Sequence, residues 1–301
     1  MTPIAIVRAP AKINLFLGCG ERREDGFHEL TTVYQAVSLY DELVARPGSG
    51  DVTVEVRGEG ARAVPDDDDN LAVRAARLLA ARAGVPADVH LQLDKGIPVA
   101  GGLAGGSADA AAALVACDAL WGTGVSRADL LELAAELGSD VPFSLHGGTA
   151  LGTGRGEQLT EVLGHGQYHW VLALAEGGLA TPTVYAELDR MRAVGGLHPW
   201  GSLDRVLAAL RAGDAVALGT ALSNDLQPAA LRLRPDLRRA LEAGRELGAV
   251  GAVVSGSGPT VAFLVKTGAQ AIDVAAALAG MGVCRSVRRA HGPVHGARLR
   301  D

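Results

Sequence analysis

Pro98-Val-Ala-Gly-Gly-Leu-Ala-Gly-Gly-Ser-Ala-Asp109 is the stretch on which the reading of this chain turns. Four glycines fall within Gly101 to Gly106, directly ahead of an alanine-rich run, Ala108 to Trp121, that predicts a helix. Glycine accepts φ > 0 and lets an oxygen approach the backbone with no Cβ in the way. The first N–H groups of a helix have no partner inside it, and that end carries roughly half a positive charge. A glycine turn opening a helix is therefore an anion site, and phosphate suits it best. Ser107 can cap the helix or touch a phosphate or its magnesium. Taken alone, such a cluster is about as often a linker or a helix-ending turn. The regular helix that follows argues against a linker. A GxxxxGK[ST] loop needs a lysine after the last glycine, where this chain has Ser107-Ala108, and neither GxGxxG nor GxSxG occurs. The lysine of a phosphate site has to come from elsewhere.

Outward from the turn, strands and helices alternate. Ile4 to Gly20 predicts a strand broken at Pro10 and ended by Gly18-Cys19-Gly20, with a polar loop, Glu21 to Gly26, behind it. Leu30 to Leu43, Asp51 to Val56 and Val89 to Leu93 predict further strands. Helices are expected at Leu71 to Ala83 and at Arg127 to Leu137, the second stopped by Gly138. The acidic run Asp66 to Asp69 reads as cap and first-turn charge for the first of these; metal motifs space their carboxylates instead. Gly147 to Gly156 is rich in turn residues and closes a first domain. With 301 residues, two domains are expected, 1–155 and 156–301. The second half predicts strands at Trp170 to Ala175 and Val261 to Val265. Its helices are expected at Thr183 to Met191, Leu203 to Leu222, Pro235 to Leu247 and Ala269 to Met281.

Composition narrows the function. Apolar residues at 48% and charged residues at 21% suit a chain that folds by itself. A formal charge of −6 with no long Lys/Arg cluster argues against a nucleic-acid surface and for small ligands. Cys19, Cys117 and Cys284 are odd in number and far apart, which fits a reducing cytoplasm. No run approaches the roughly eighteen apolar residues of a membrane span, and Met1 to Pro10 lacks the pattern of an export signal. The pairs His165/His169 and His291/His295 sit in glycine-containing stretches without a third ligand, so no protein metal site is expected. Trp121, Trp170 and Trp200 are expected to pack.

Two more motifs complete a pattern: Ala9-Pro-Ala-Lys-Ile-Asn-Leu-Phe-Leu17 and Ser255-Gly-Ser-Gly-Pro-Thr260. With the glycine turn between them, over nearly the whole chain, the sequence resembles the GHMP kinase superfamily. Lys12-Ile-Asn14-Leu15, Asp25-Gly-Phe-His-Glu-Leu30 and Gly138-Ser-Asp-Val-Pro-Phe143 resemble the branch that phosphorylates the 2-hydroxyl of a cytidine diphosphate-linked methylerythritol. The resemblance implies an α+β, two-domain fold with the active site in the cleft between the domains. Its ATP-binding N-terminal domain would hold a left-handed β-α-β unit, where general rules favour right-handed connections, and its C-terminal domain would be ferredoxin-like.

It implies ATP and Mg2+ as cofactors, the triphosphate cradled by Pro98, Gly101, Gly102, Leu103, Ala104, Gly105, Gly106 and Ser107, with no carboxylate cage. Asp140 would take the hydroxyl proton, and Lys12 would favour the ionised carboxylate and steady the attacking oxygen. Gly256-Ser257-Gly258 would bring backbone to the site. Asn14 would touch the polyol, Phe27 and Tyr185 would offer aromatic faces to the base, and His28 would hydrogen-bond it. Without the resemblance, Lys12 is an unusual lysine in an apolar strand, Asp140 an ordinary turn aspartate, and Phe27 and Tyr185 read as core. Asp109 could assist the magnesium site indirectly, and a capping or packing role in the first helical turn is at least as good a reading. The chain departs from the pattern at Phe27, where tyrosine is usual, and at Ala104 and Ala108. A monomer or weak homodimer is expected. A sister kinase for another alcohol, or a silent nucleotide-binding module, are the competing readings; the presence of both Lys12 and Asp140 opposes the latter.

Overall fold

The computed structural model describes residues 3–195 and 201–300; Trp200 lies outside them. The first sheet is built on a long antiparallel hairpin of β1 (Ala5–Arg22) and β2 (His28–Pro47). From Ala9 to Leu15 both faces of β1 are covered, so Lys12 and Asn14 are buried beside Ala11, Ile13 and Leu15. The strand is not broken at Pro10, nor ended at Gly18 to Gly20. Proline cannot donate to the ladder, and the pairing instead slips between Pro10 and Ala11 and continues to Arg22.

β3 (Val52–Gly58) lies parallel to β4 (Val89–Lys95), and α1 (Leu71–Ala83) crosses between them. The cap of α1 is Asn70, whose side chain accepts from the Ala72 N–H at 2.8 Å; the preceding aspartates do not cap it. α2 (Gly105–Trp121) is buried along most of its length from Ala108 to Cys117, with Asp109 its one polar residue there, and its alanines let it lie close to α1 and to the sheet. α3 (Arg127–Leu137) and the short α4 (Val141–His146) follow. The turn-rich stretch after Gly147 holds β5 (Thr149–Thr153), paired with β2 and with β6 (Gln158–Glu161).

The second sheet starts with β7 (Tyr168–Leu174). Then come α5 (Thr181–Ala193), α6 (Leu203–Ala212) and α7 (Ala215–Ala221). The single helix expected over Leu203 to Leu222 is divided at Gly213, φ 67°, where Asp214 caps α7 by accepting from the N–H groups of Val216 and Ala217. After β8 (Ser223–Asn224), α8 (Gln227–Leu233) and α9 (Asp236–Glu246) come β9 (Gly251–Val254) and β10 (Val261–Val265). α10 (Gly268–Met281), β11 (Ser286–Gly292) and β12 (Arg298–Leu299) complete the chain. The antiparallel order β11-β7-β10-β9 is the ferredoxin-like β-α-β-β-α-β arrangement. β6, β8 and β12 join the first sheet, so the second half of the chain reaches back onto the first. Trp121 packs against the core and Trp170 is fully buried in it, as expected.

Candidate active site

A cleft of about 900 Å³ runs between the glycine turn, the hairpin β1–β2 and α5. Helix α2 begins at Gly105, three residues earlier than its alanine run suggests, with Ala104 at the cap position in the left-handed region, φ 61°. Alanine has no side-chain oxygen, so no capping bond is made and the N–H groups of the first turn remain available to a ligand. Ser107 stands inside the helix and is not its cap. Gly101, Gly102, Ala104, Gly105, Gly106 and Ser107 line the cleft together with Pro98. Leu103 does not: its side chain is fully buried in the core and its carbonyl accepts from the Lys12 N–H at 3.1 Å, which ties the turn to β1.

The third motif sits on the same turn. The Ser255 hydroxyl donates to the Gly102 carbonyl at 3.0 Å, and the Thr260 N–H to that of Gly101 at 3.3 Å. Gly102 has φ 76°, and a Cβ there would overlap the Ser255 carbonyl oxygen. Gly102→Ala is therefore expected to cost on the order of 1–3 kcal/mol of local strain and to weaken nucleotide binding more than overall folding. Titration with an ATP analogue beside a thermal melt would check this; equal affinity would mean that the turn tolerates the shift.

Lys12 and Asp140 come together as expected. Lys12 Nζ lies 3.5 Å from Asp140 Oδ2, donates to Asn14 Oδ1 at 2.9 Å and sits 5.6 Å from the centre of the Tyr34 ring. Asn14 donates in turn to Thr32 Oγ1 at 2.8 Å, so the ammonium is held from the strand side. The Tyr34 hydroxyl donates to Asp140 Oδ1 at 3.1 Å. Burial first, and then the neighbouring Asp140 carboxylate, push Tyr34 well above its ordinary range, so it stays a donor. Asp140 heads α4, one-third exposed to the cleft, which leaves its carboxylate reachable by a substrate. Nothing in the local sequence marks Tyr34 as part of this cluster.

At the other end, His28 Nε2 meets Asp189 Oδ1 at 2.8 Å, and its ring stacks on Tyr185 with centres 5.0 Å apart. Phe27 is half-exposed and lies under the Arg155 guanidinium, 5.1 Å from ring centre to carbon. Tyr185 thus faces His28, and Phe27 faces Arg155. Asp189 and Arg155 also line the cleft, and both escaped the sequence reading. The available signal for Asp189 was its spacing, four residues beyond Tyr185 on one helix face.

Behind the turn is a buried triad, Lys95 between Asp41 and Asp109. Lys95 Nζ donates to Asp109 Oδ2 at 2.6 Å and to Asp41 Oδ2. Asp41 also accepts from the N–H groups of Gly96 and Ile97 at 2.7 and 2.8 Å. Burial lowers the Lys95 pKa, but the two carboxylates outweigh it and the net shift is upward. Burial and Asp41 push the Asp109 carboxyl well above the usual carboxylate range. Among the described residues no group of three His, Cys, Asp or Glu side chains could hold a metal ion. Ser107, Asp69, Asp109 and Asp140 line the cleft with the glycine turn without forming a carboxylate cage, which fits a magnesium ion held chiefly by phosphate oxygens.

An uncapped glycine turn at a helix start, a lysine paired with an aspartate across the cleft, and a ferredoxin-like second domain define a small-molecule kinase of the GHMP type. The chain belongs to that family: residues 70–148 match the GHMP kinases N terminal domain and residues 206–284 the GHMP kinases C terminal domain. The family's phosphoryl donor is ATP. The chain is 59% identical over 295 residues, 97% of its own length and 93% of the relative's, to the 4-diphosphocytidyl-2-C-methyl-D-erythritol kinase of Salinispora tropica. A crystal structure of 4-(cytidine 5'-diphospho)-2C-methyl-D-erythritol kinase aligns with a TM-score of 0.77 at 35% identity, covering 97% of this chain and 98% of that one. Homoserine kinase from Cytophaga hutchinsonii aligns with a TM-score of 0.79 at 21% identity, covering 100% and 98%, and shares the fold.

Proposed function

We propose that this chain transfers the γ-phosphoryl group of ATP to the 2-hydroxyl of 4-diphosphocytidyl-2-C-methyl-D-erythritol, in the non-mevalonate route to isoprenoid precursors. The observation that carries the reading is one cleft that holds both the Lys12–Asp140 pair beside the phosphate turn and the His28–Tyr185 stack. The relatives named for that reaction match nearly the whole chain, which supports the same substrate here.

Phosphoryl transfer asks the protein for alignment and for charge stabilisation more than for covalent chemistry. Pro98 and the turn from Gly101 to Ser107 receive the triphosphate, with Leu103 anchoring the turn from behind. The end lined by Val64, Pro65, Leu71 and Val99 offers an apolar slot for adenine. Asp140 accepts the proton of the 2-hydroxyl as its oxygen attacks the γ-phosphorus and the bond to the ADP oxygen breaks. Lys12 stabilises that oxygen, and Asn14 orients Lys12 and the polyol. Magnesium, when bound with the nucleotide, would neutralise phosphate charge, with Ser107 the side chain placed to share it. Phe27, His28 and Tyr185 form the base end. The division into 1–155 and 156–301, a cytoplasmic setting and a monomeric or weakly dimeric state belong to the same proposal; three unpaired cysteines support the setting.

The test is ADP release with MgATP and 4-diphosphocytidyl-2-C-methyl-D-erythritol, set against the same alcohol without its cytidine diphosphate group. Turnover that requires the cytidine group is expected. Activity on another alcohol alone would keep a kinase and remove this substrate.

A further inference from the structure

His28 opens β2 and Asp189 lies on α5, in the other half of the chain, yet the two side chains meet across the cleft at 2.8 Å. Tyr185, one turn earlier on α5, covers a face of the same imidazole. The helix is itself fastened to the hairpin, because Arg192 donates to the carbonyls of Gly20 at 2.9 Å and Cys19 at 2.6 Å. α5 therefore holds His28 by one face and one edge. A carboxylate accepts hydrogen bonds and cannot donate them, so Nε2 carries the hydrogen of the bond to Asp189. In the neutral ring this leaves Nδ1 with a lone pair. Nδ1 has no hydrogen-bond partner among the described residues, and His28, only 7% exposed, lines the cleft.

From this arrangement we propose that Asp189 is a positioning residue that sets the base preference of the cleft. By holding the Nε2–H tautomer of His28, it presents Nδ1 as an acceptor, which takes the exocyclic amino group of a cytosine and rejects the 4-carbonyl of a uracil. The inference rests on the cytidine reading above and adds the reason for it. Two acceptors placed face to face leave both unpaired, which penalises the wrong base more than the right contact favours the correct one. Without Asp189 the ring is free to carry its hydrogen on Nδ1 instead, and that N–H suits the uracil oxygen.

The experiment compares CDP and UDP binding by calorimetry for the wild type, Asp189→Ala and Asp189→Asn, with long-range 1H–15N spectra of the His28 ring. Affinity for a non-hydrolysable ATP analogue reports that the cleft is intact. The wild type is expected to favour CDP and to show a neutral Nε2–H ring. In Asp189→Ala the CDP-to-UDP ratio should fall about tenfold, the factor that one hydrogen bond of typical net strength supplies, and the ring should populate both tautomers. Asparagine keeps an acceptor oxygen at that place and should restore most of the ratio, which a merely structural role for Asp189 would not require. An alanine variant that keeps both ratio and tautomer, or a wild-type ring protonated on both nitrogens, would overturn the inference while leaving the cytidine reading in place. A wild type indifferent to CDP and UDP would remove the cytidine reading and this inference with it.

Discussion

Asp140→Asn is expected to lower kcat by roughly 10²–10⁴-fold, the range that a positioned general base contributes. Asparagine keeps the shape of the side chain and can still accept from the Tyr34 hydroxyl, which now meets Oδ1 at 3.1 Å. It cannot take a proton from the substrate. Because the substitution leaves the backbone N–H groups of the glycine turn untouched, binding of an ATP analogue should change by no more than a few-fold, so the loss should fall on kcat. Lys12→Met should also lower kcat, and the double variant should be little worse than either single one, since groups that act as a unit are not additive. Steady-state kinetics on the three variants decides it. A loss below about tenfold in Asp140→Asn would take the base role away from Asp140 and leave alkoxide stabilisation by Lys12 as the main chemical contribution.

The largest effect on stability is expected in the buried triad beside the glycine turn. Lys95 is 2% exposed and holds two carboxylates that are equally hidden, Asp41 at 0% and Asp109 at 4%. Lys95→Met would leave both facing one another without a cation. Breaking a buried pair by removing one partner costs about 3–5 kcal/mol, and here a second buried carboxyl group loses its partner as well. For a chain of this size, that is a fall in melting temperature on the order of 10 °C. Asp41 keeps its two backbone donors, so the exposed weakness is at Asp109. Adding Asp109→Asn to Lys95→Met should therefore recover part of the loss, a non-additivity expected of residues in contact. Thermal melts of the single and double variants would check this, and a Lys95→Met protein that melts within a degree or two of wild type would mean that water reaches the triad. The position of the triad also predicts a consequence for binding. A side chain on Gly105 would touch Lys95 Nζ, so the triad packs directly behind the phosphate turn. The surviving folded fraction of Lys95→Met should bind nucleotide more weakly.

Local pattern carried the elements whose signals are local. The helix α1 and its stop, the start of α3 at Arg127 and its end at Leu137, and the strand Val261–Val265 fall where period and punctuation put them. β9 and β11 were not legible. Gly251–Val254 is too short to show alternation, and Ser286–Gly292 carries arginines that edge a sheet without an apolar rhythm. The start of α2 differs from the expected one: alanine content points to Ala108, whereas the chain enters the helix through a left-handed Ala104, a conformation that intrinsic propensity disfavours. That strain is tolerated where the third motif and Lys12 grip the turn from two sides.

The amino-acid sequence by itself determined the family and offered the glycine turn as a candidate anion site; it put forward Lys12, Asp140, Asn14, Phe27 and His28 through contiguous motifs and Tyr185 through the resemblance. Only the tertiary structure decided which of them touch. It pairs Lys12 with Asp140, adds Tyr34 to them, sets Tyr185 against His28 and Arg155 against Phe27, and buries Leu103 in the core, away from the cleft. It also decided that Asp41, Lys95 and Asp109 share one charge cluster and that Asp189 reaches His28 from the other half of the chain. These contacts depend on how two sheets and their helices pack, and a hydrogen bond formed across that packing leaves no periodic trace in the order of residues.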